Sequence, residues 1–166
     1  MKHARTSFVL LLAVLGVMAL MPAFAAGTAQ PITITMYSFG HNLPSGAPGK
    51  PGPDGMTHDA ILPSDIVVQP GQQVTIKVIN YDEGPHTFTV PSLNLNEMIQ
   101  GGNEDEATGK VTPVTTTFTF TAPDKSGTYR WHCAIPCDGH AKGWAMTDSK
   151  DGPSQDGYMA GYVIVN

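Results

Sequence analysis

The 166-residue chain has only two cysteines, Cys133 and Cys137, and none of its six histidines forms a His-x-His pair. The absence of such pairs excludes the repeated imidazole ligands of a trinuclear copper cluster of the kind found in oxidases. No internal repeat and no long amphipathic helical pattern is visible, so neither a repeat array nor a helical bundle is indicated. The longest apolar run covers 14 residues, 8–21, which is shorter than the roughly 20 residues that span a bilayer.

The N-terminal segment has the features of a secretory signal. Lys2 and Arg5 precede the apolar run, and Ala23-Phe24-Ala25 is a small-x-small cleavage site. We therefore predict a signal peptide over residues 1–26 and one domain over residues 27–166. An uncleaved N-terminal anchor is the alternative. Export predicts a periplasmic or extracellular location, where oxidising conditions favour disulfides.

The charge balance limits the possible partners. The formal net charge is −5, and it becomes −7 when Lys2 and Arg5 leave with the signal. An acidic surface argues against nucleic acid and anionic lipid as partners, and it is compatible with a basic protein.

Short β-rich runs separated by Gly, Pro, Asn and Asp predict an all-β fold. In QVTIKVIN, three apolar side chains share one face of a strand, and in VTTTFTFTA Phe118 and Phe120 lie opposite three threonines. Seven such runs predict a two-sheet β-sandwich. They cover residues 32–38, 65–68, 73–80, 86–90, 114–122, 128–132 and 161–166.

Three segments interrupt this pattern. Residues 44–55 are rich in Pro and Gly, which predicts a long surface loop. Residues 93–110 are acidic, and we expect a short helix or an acidic flap there. Residues 147–158 are polar and precede the last strand, so this loop is a functional candidate.

Soft and borderline metal ligands cluster around the cysteines in the segment GTYRWHCAIPCDGHAKGWAM. Thiolates with imidazoles suit copper or zinc, and a nearby thioether favours copper. The candidate ligands are His86, Cys133, Cys137, His140, Met146 and Met159. A Cys133–Cys137 disulfide closing a small loop is the alternative explanation of the cysteine pair.

Strand alternation separates two neighbouring candidates. If Tyr129 and Trp131 face the core, Cys133 lies on the same side and His132 on the other. We therefore leave His132 out of the site.

His41 and His58 flank the Pro/Gly loop, and we expect both to be solvated.

Four segments in order resemble the cupredoxins, single-domain copper proteins that transfer electrons. The segments are VVQPGQQVTIKVIN, GPHTFTVPSL, GTYRWHC and MAGYVIV. The resemblance implies a Greek-key β-sandwich of about seven or eight strands, a single-electron carrier and not an enzyme, and a redox partner such as a c-type cytochrome or a terminal oxidase.

Within that family, the Cys-x3-Cys pair followed by histidine is most similar to the binuclear CuA domain of cytochrome c oxidase subunit II and nitrous-oxide reductase. This similarity implies that Cys133 and Cys137 bridge two coppers. His86 would bind one copper and His140 the other, with Met159 and the backbone carbonyl of Ile135 as weak outer ligands.

The chain departs from the CuA pattern in two places. Two residues separate Cys137 from His140 instead of three, and Met159 lies 19 positions after His140. If residues 147–158 are an insertion, Met159 regains its place before the last strand, so we favour it over Met146. The alternative aligns CAIP and GHA with mononuclear blue-copper proteins, which implies one copper. A copper-binding module for delivery or storage is a further alternative.

Overall fold

The computed structural model describes residues 29–40, 43, 45, 58–135 and 158–166. Within this part the chain forms eleven β-strands and one short 3-10 helix, Pro91–Leu93. The strands are β1 (Ile32–Phe39), β2 (Ala60–Leu62), β3 (Ile66–Val68), β4 (Gln73–Asn80), β5 (His86–Val90), β6 (Leu95–Ile99), β7 (Asn103–Asp105), β8 (Lys110–Thr112), β9 (Val114–Thr121), β10 (Gly127–His132) and β11 (Ala160–Val165).

Two mixed sheets form the body of the fold. The first has the order β2-β1-β4-β9, and the second has the order β3-β11-β10-β5-β6. β1 pairs with β4 in parallel and β11 with β3 in parallel, whereas the other pairings in both sheets are antiparallel. Strands β7 and β8 form a separate antiparallel hairpin.

Alternating side chains explain why the two sheets pack face to face. In β4, Val74, Ile76 and Val78 are fully buried, and they alternate with more exposed residues. The rings of Phe88 in the second sheet and Phe118 in the first lie 5.4 Å apart, so they join the two inner faces. The predicted two-sheet sandwich is confirmed.

A buried tryptophan fixes the centre of the second sheet. Trp131 is fully buried, stacks on Phe88 at 4.8 Å between ring centroids, and donates a 2.6 Å hydrogen bond from Nε1 to the Ser64 carbonyl. Gly161 pairs with Trp131 on the neighbouring strand, and a Cβ atom there would lie 2.8 Å from Nε1 and overlap the Ser64 carbonyl. A glycine is therefore required for this close approach.

Each of the seven predicted strands is present, with ends that differ by one residue at most. Four short strands, β2, β6, β7 and β8, were not predicted. Of the two alternatives expected for residues 93–110, the short helix is wrong, because β6 pairs with β5 there and Glu104 and Asp105 lie in the β7–β8 hairpin. Backbone pairing at the free edge of β5 outweighs the weak helical preference of this polar segment.

The two other inserted loops and the predicted signal lie almost wholly outside the described residues. Within the described part, no helix is long and apolar enough to cross a membrane.

Candidate metal centre

Strand pairing brings three candidate ligands to one end of the second sheet. His86 begins β5, Cys133 directly follows β10, and Met159 directly precedes β11. Both β5 and β11 run antiparallel to β10, with His132 paired to Thr89 on one side and to Ala160 on the other. The starts of β5 and β11 therefore meet the end of β10.

The Cys133 side chain lies in the core, with an exposed fraction of 1%. Its sulfur accepts a 3.4 Å hydrogen bond from the Thr87 backbone N–H and lies 3.6 Å from the Ile135 carbonyl oxygen. An N–H donor directed at sulfur stabilises the thiolate form, which is the form that binds metals. Strand alternation thus predicted the inward direction of Cys133 correctly.

His86 is fully buried beside Cys133. Neither of its ring nitrogens has a well-directed hydrogen bond to a described residue, although Nε2 lies 3.1 Å from Oδ2 of Asp82. Burial favours the neutral ring, but the Asp82 carboxylate and the Cys133 side chain outweigh this effect and raise the pKa of His86 to about 9. The imidazole therefore lies between a carboxylate and a sulfur.

Met159 is fully buried and has the left-handed backbone angle φ of 63°. This conformation is uncommon for a residue other than glycine. The Met159 carbonyl accepts a 2.9 Å hydrogen bond from the Cys133 N–H. The last strand therefore starts directly beside the cysteine.

A chain of hydroxyl groups ties the cysteine segment to β5 and β6. The Thr87 hydroxyl accepts a 2.7 Å hydrogen bond from the Ala134 N–H and lies 2.8 Å from the Thr89 hydroxyl. Thr89 Oγ1 donates a 2.7 Å hydrogen bond to the side chain of Asn96. These contacts hold the backbone after β10 against β5, which limits the movement of Cys133 relative to His86.

Among the described residues, the structure brings together four of the predicted ligands. His86, Cys133, the Ile135 carbonyl and the Met159 backbone lie at this end of the sheet, whereas Cys137, His140 and Met146 lie outside the described residues. His132 is only partly buried, and its Nδ1 lies 3.0 Å from the Cys133 carbonyl.

The expected solvation of His58 is wrong. This side chain is only 4% exposed, and its ring meets the ring of Tyr158 edge-on at 5.4 Å between centroids. His58 is buried because the chain leaving the Pro/Gly loop passes next to the residue that precedes Met159.

Two buried carboxylates that sequence reasoning missed lie near His86. The side-chain oxygens of Asp59 and Asp82 lie within 4.8 Å of one another and of a His86 nitrogen. Burial raises the pKa of Asp82, but His86, Glu83 and the Gly84 backbone outweigh this effect and lower it. The only sequence signal for Asp82 is its position four residues before the histidine, which is weak.

Comparisons with solved structures find matches at low sequence identity. Auracyanin A, a blue copper protein from Chloroflexus aurantiacus, is 20% identical, with 82% of this chain and 99% of that chain covered and a TM-score of 0.45. Copper nitrite reductase from Nitrosomonas europaea is 16% identical over 82% of this chain and 41% of that chain, with a TM-score of 0.47. The periplasmic domain of cytochrome oxidase subunit II from Bradyrhizobium japonicum is 14% identical over 81% and 83%, with a TM-score of 0.38.

No curated protein matches the chain significantly. One family model does, the cupredoxin-like domain, over residues 9–143. This match includes His86, Cys133, Cys137 and His140 and ends before Met159. Because it covers most of the 166 residues, the chain belongs to the cupredoxin-like domain family.

Proposed function

We propose that this protein is an exported copper protein that carries single electrons between redox partners. The observation that carries the proposal is the burial of the His86 imidazole beside the Cys133 sulfur at one end of the sheet. Imidazole with thiolate is a donor pair that copper prefers, and membership of the cupredoxin-like family supports the same metal.

The described residues fit a copper ion. His86 has a buried Nδ1 atom with no hydrogen bond to a described residue, and Cys133 has a sulfur that accepts the Thr87 N–H. A buried polar atom of this kind requires a partner, and a metal would supply it. When bound, copper would supply a one-electron couple. The hydrogen bonds around Thr87 would keep the two ligands in place in both oxidation states.

For nuclearity, we propose the binuclear CuA-like arrangement. A second thiolate at Cys137 has no purpose in a mononuclear site, and His140 follows it as a second imidazole. The Ile135 carbonyl, 3.6 Å from the Cys133 sulfur, is a candidate weak ligand. The alternative is a mononuclear site with Cys133, His86, His140 and one methionine.

We also propose that the partner is a redox protein, such as a c-type cytochrome or a terminal oxidase. The rigid hydrogen-bonded surroundings of Cys133 favour a carrier over a delivery or storage module. A carrier keeps its metal in both redox states, whereas a delivery module must release it to a partner or chelator.

Copper loading of the reduced protein tests this proposal. We expect an intense visible absorption from thiolate-to-copper charge transfer. His86→Ala should lower copper affinity by more than about 100-fold, because loss of even an outer partner of a ligand costs about 10- to 100-fold. His132→Ala is the matched control, since this ring lies outside the buried pair, and it should leave the colour unchanged.

Colourless protein that binds only zinc would contradict the copper assignment. Equal effects of the two histidine changes would contradict the assignment of His86.

The proposed methionine ligand has a separate test. Met159→Leu should shift the reduction potential and the visible spectrum, because an axial thioether tunes copper. The substitution conserves volume, so the free energy of unfolding should fall by less than about 1.5 kcal/mol. Met146→Leu is the control and should change little. Potentiometry on both variants checks the prediction, and the opposite ranking would place Met146 in the ligand set.

A further inference from the structure

A buried carboxylate lies against the outer nitrogen of the candidate ligand His86. Oδ2 of Asp82 is 3.1 Å from Nε2 of His86, and their exposed fractions are 7% and 0%. Carboxylates are rarely buried so deeply without a charged or hydrogen-bonding partner, because desolvation of an ion is costly. The contact therefore differs from a surface ion pair, which contributes little to the stability of the fold.

The position of Asp82 is set by the fold independently of the histidine. Its backbone N–H donates to Oδ1 of Asn80 at 2.9 Å, and its carbonyl accepts from the Gly102 N–H at 2.7 Å. Asn80 is fully buried, and its Nδ2 donates to the carbonyls of Gly84 and Gln100 at 2.9 and 3.1 Å. The turn between β4 and β5 is thus held from both sides, and it presents the carboxylate to the ring.

Neighbouring chain segments restrict the Asp82 side chain further. A Cβ atom at Gly40 would overlap its carboxylate, so the end of β1 packs directly against it. Asp59, which precedes β2 and is 2% exposed, places a second carboxylate within 4.8 Å of Asp82 and His86. Residues next to strands of the first sheet therefore place two carboxylates beside a candidate ligand of the second sheet.

We propose that Asp82 is a positioning residue that holds the His86 ring by Nε2 and leaves Nδ1 as the nitrogen available to a metal, with Asp59 as a second negative charge beside the pair. A carboxylate at the outer nitrogen fixes ring orientation and increases ligand basicity. It also places negative charge near the metal, which favours Cu(II) over Cu(I). The effect of Asp82 on copper binding rests on the proposed function, whereas its effect on the orientation of the His86 ring does not.

Asp82→Asn tests the proposal, because it removes the charge and keeps the size of the side chain. We expect Cu(II) affinity to fall about 10- to 100-fold. The reduction potential should become more positive. The expected shift is about 59 mV for each factor of ten by which the loss of Cu(II) affinity exceeds the loss of Cu(I) affinity. Asp59→Asn should shift both quantities in the same direction by less.

Asp124→Asn is the charge-matched control. Asp124 is exposed just before β10, at the opposite end of that strand from Cys133, about 20 Å away. This variant should have the same Cu(II) affinity and the same reduction potential as the wild type. If Asp82→Asn also matches the wild type, the positioning role is overturned.

A metal-free measurement separates this inference from the proposed function. In the wild-type protein, the Nε2–H resonance of His86 should exchange slowly with water. Asp82→Ala removes the acceptor oxygen that an asparagine would keep, so it should weaken or abolish this resonance. If the wild type binds no copper, the proposed function fails and this resonance alone decides the positioning role: its loss in the variant supports the role, and its persistence overturns it. If Asp82→Asn does not fold, Asp82→Ala decides by the same measurements.

Discussion

Replacement of Cys133 with serine should abolish the copper chromophore and lower copper affinity by more than about 100-fold. The charge-transfer absorption requires a thiolate, and a serine hydroxyl stays protonated near neutral pH and binds soft metals poorly. The substitution changes one atom in a buried side chain, and serine Oγ can still accept the Thr87 N–H. We therefore expect the metal-free variant to fold, at a cost of about 1–3 kcal/mol for the buried hydroxyl.

Copper titration monitored by visible absorption checks this result, and thermal unfolding of the metal-free proteins is the control for folding. Retention of the full absorption in a folded Cys133→Ser protein would show that this sulfur is not a ligand. If Cys133→Ser loses both the colour and the fold, His86→Ala tests the same centre from β5, with His132→Ala in β10 as its control.

Cys137→Ser should destroy the native spectrum as completely as Cys133→Ser. In a binuclear site both thiolates bridge the two coppers, so removal of either one eliminates the shared electronic structure. In a mononuclear site, the same change should leave one copper and an intact chromophore. Metal content and visible spectra of the two variants, prepared side by side, distinguish these outcomes. An intact chromophore in Cys137→Ser would contradict the CuA-like proposal.

The strands of the fold could be predicted from sequence because alternation is a local signal. The β4 and β9 patterns gave the correct buried faces, and Trp131 and Cys133 lie on the same side as predicted. The short strands β6, β7 and β8 could not be predicted in this way. Their polar residues carry no clear period, and pairing with a neighbouring strand decides their structure.

The candidate site could be predicted only in part, because local sequence patterns do not show which distant segments pack together. Strand ends place His86, Cys133 and Met159 near one another, since the motifs lie beside recognisable strands. The carboxylates of Asp59 and Asp82 could not be found, because their contact with His86 depends on how two sheets and two loops pack together. The burial of His58 was missed for that reason too, and the assignments of Cys137 and His140 stay predictions.

Copper counting combined with electron paramagnetic resonance on the copper-loaded wild-type protein tests the proposed copper site most directly. A CuA-like site predicts two coppers per chain and a seven-line hyperfine pattern, because one unpaired electron is shared between two copper nuclei. One copper per chain with a four-line pattern would contradict the binuclear site and support a mononuclear carrier. Protein that holds no copper after reduction and loading would contradict the copper function altogether.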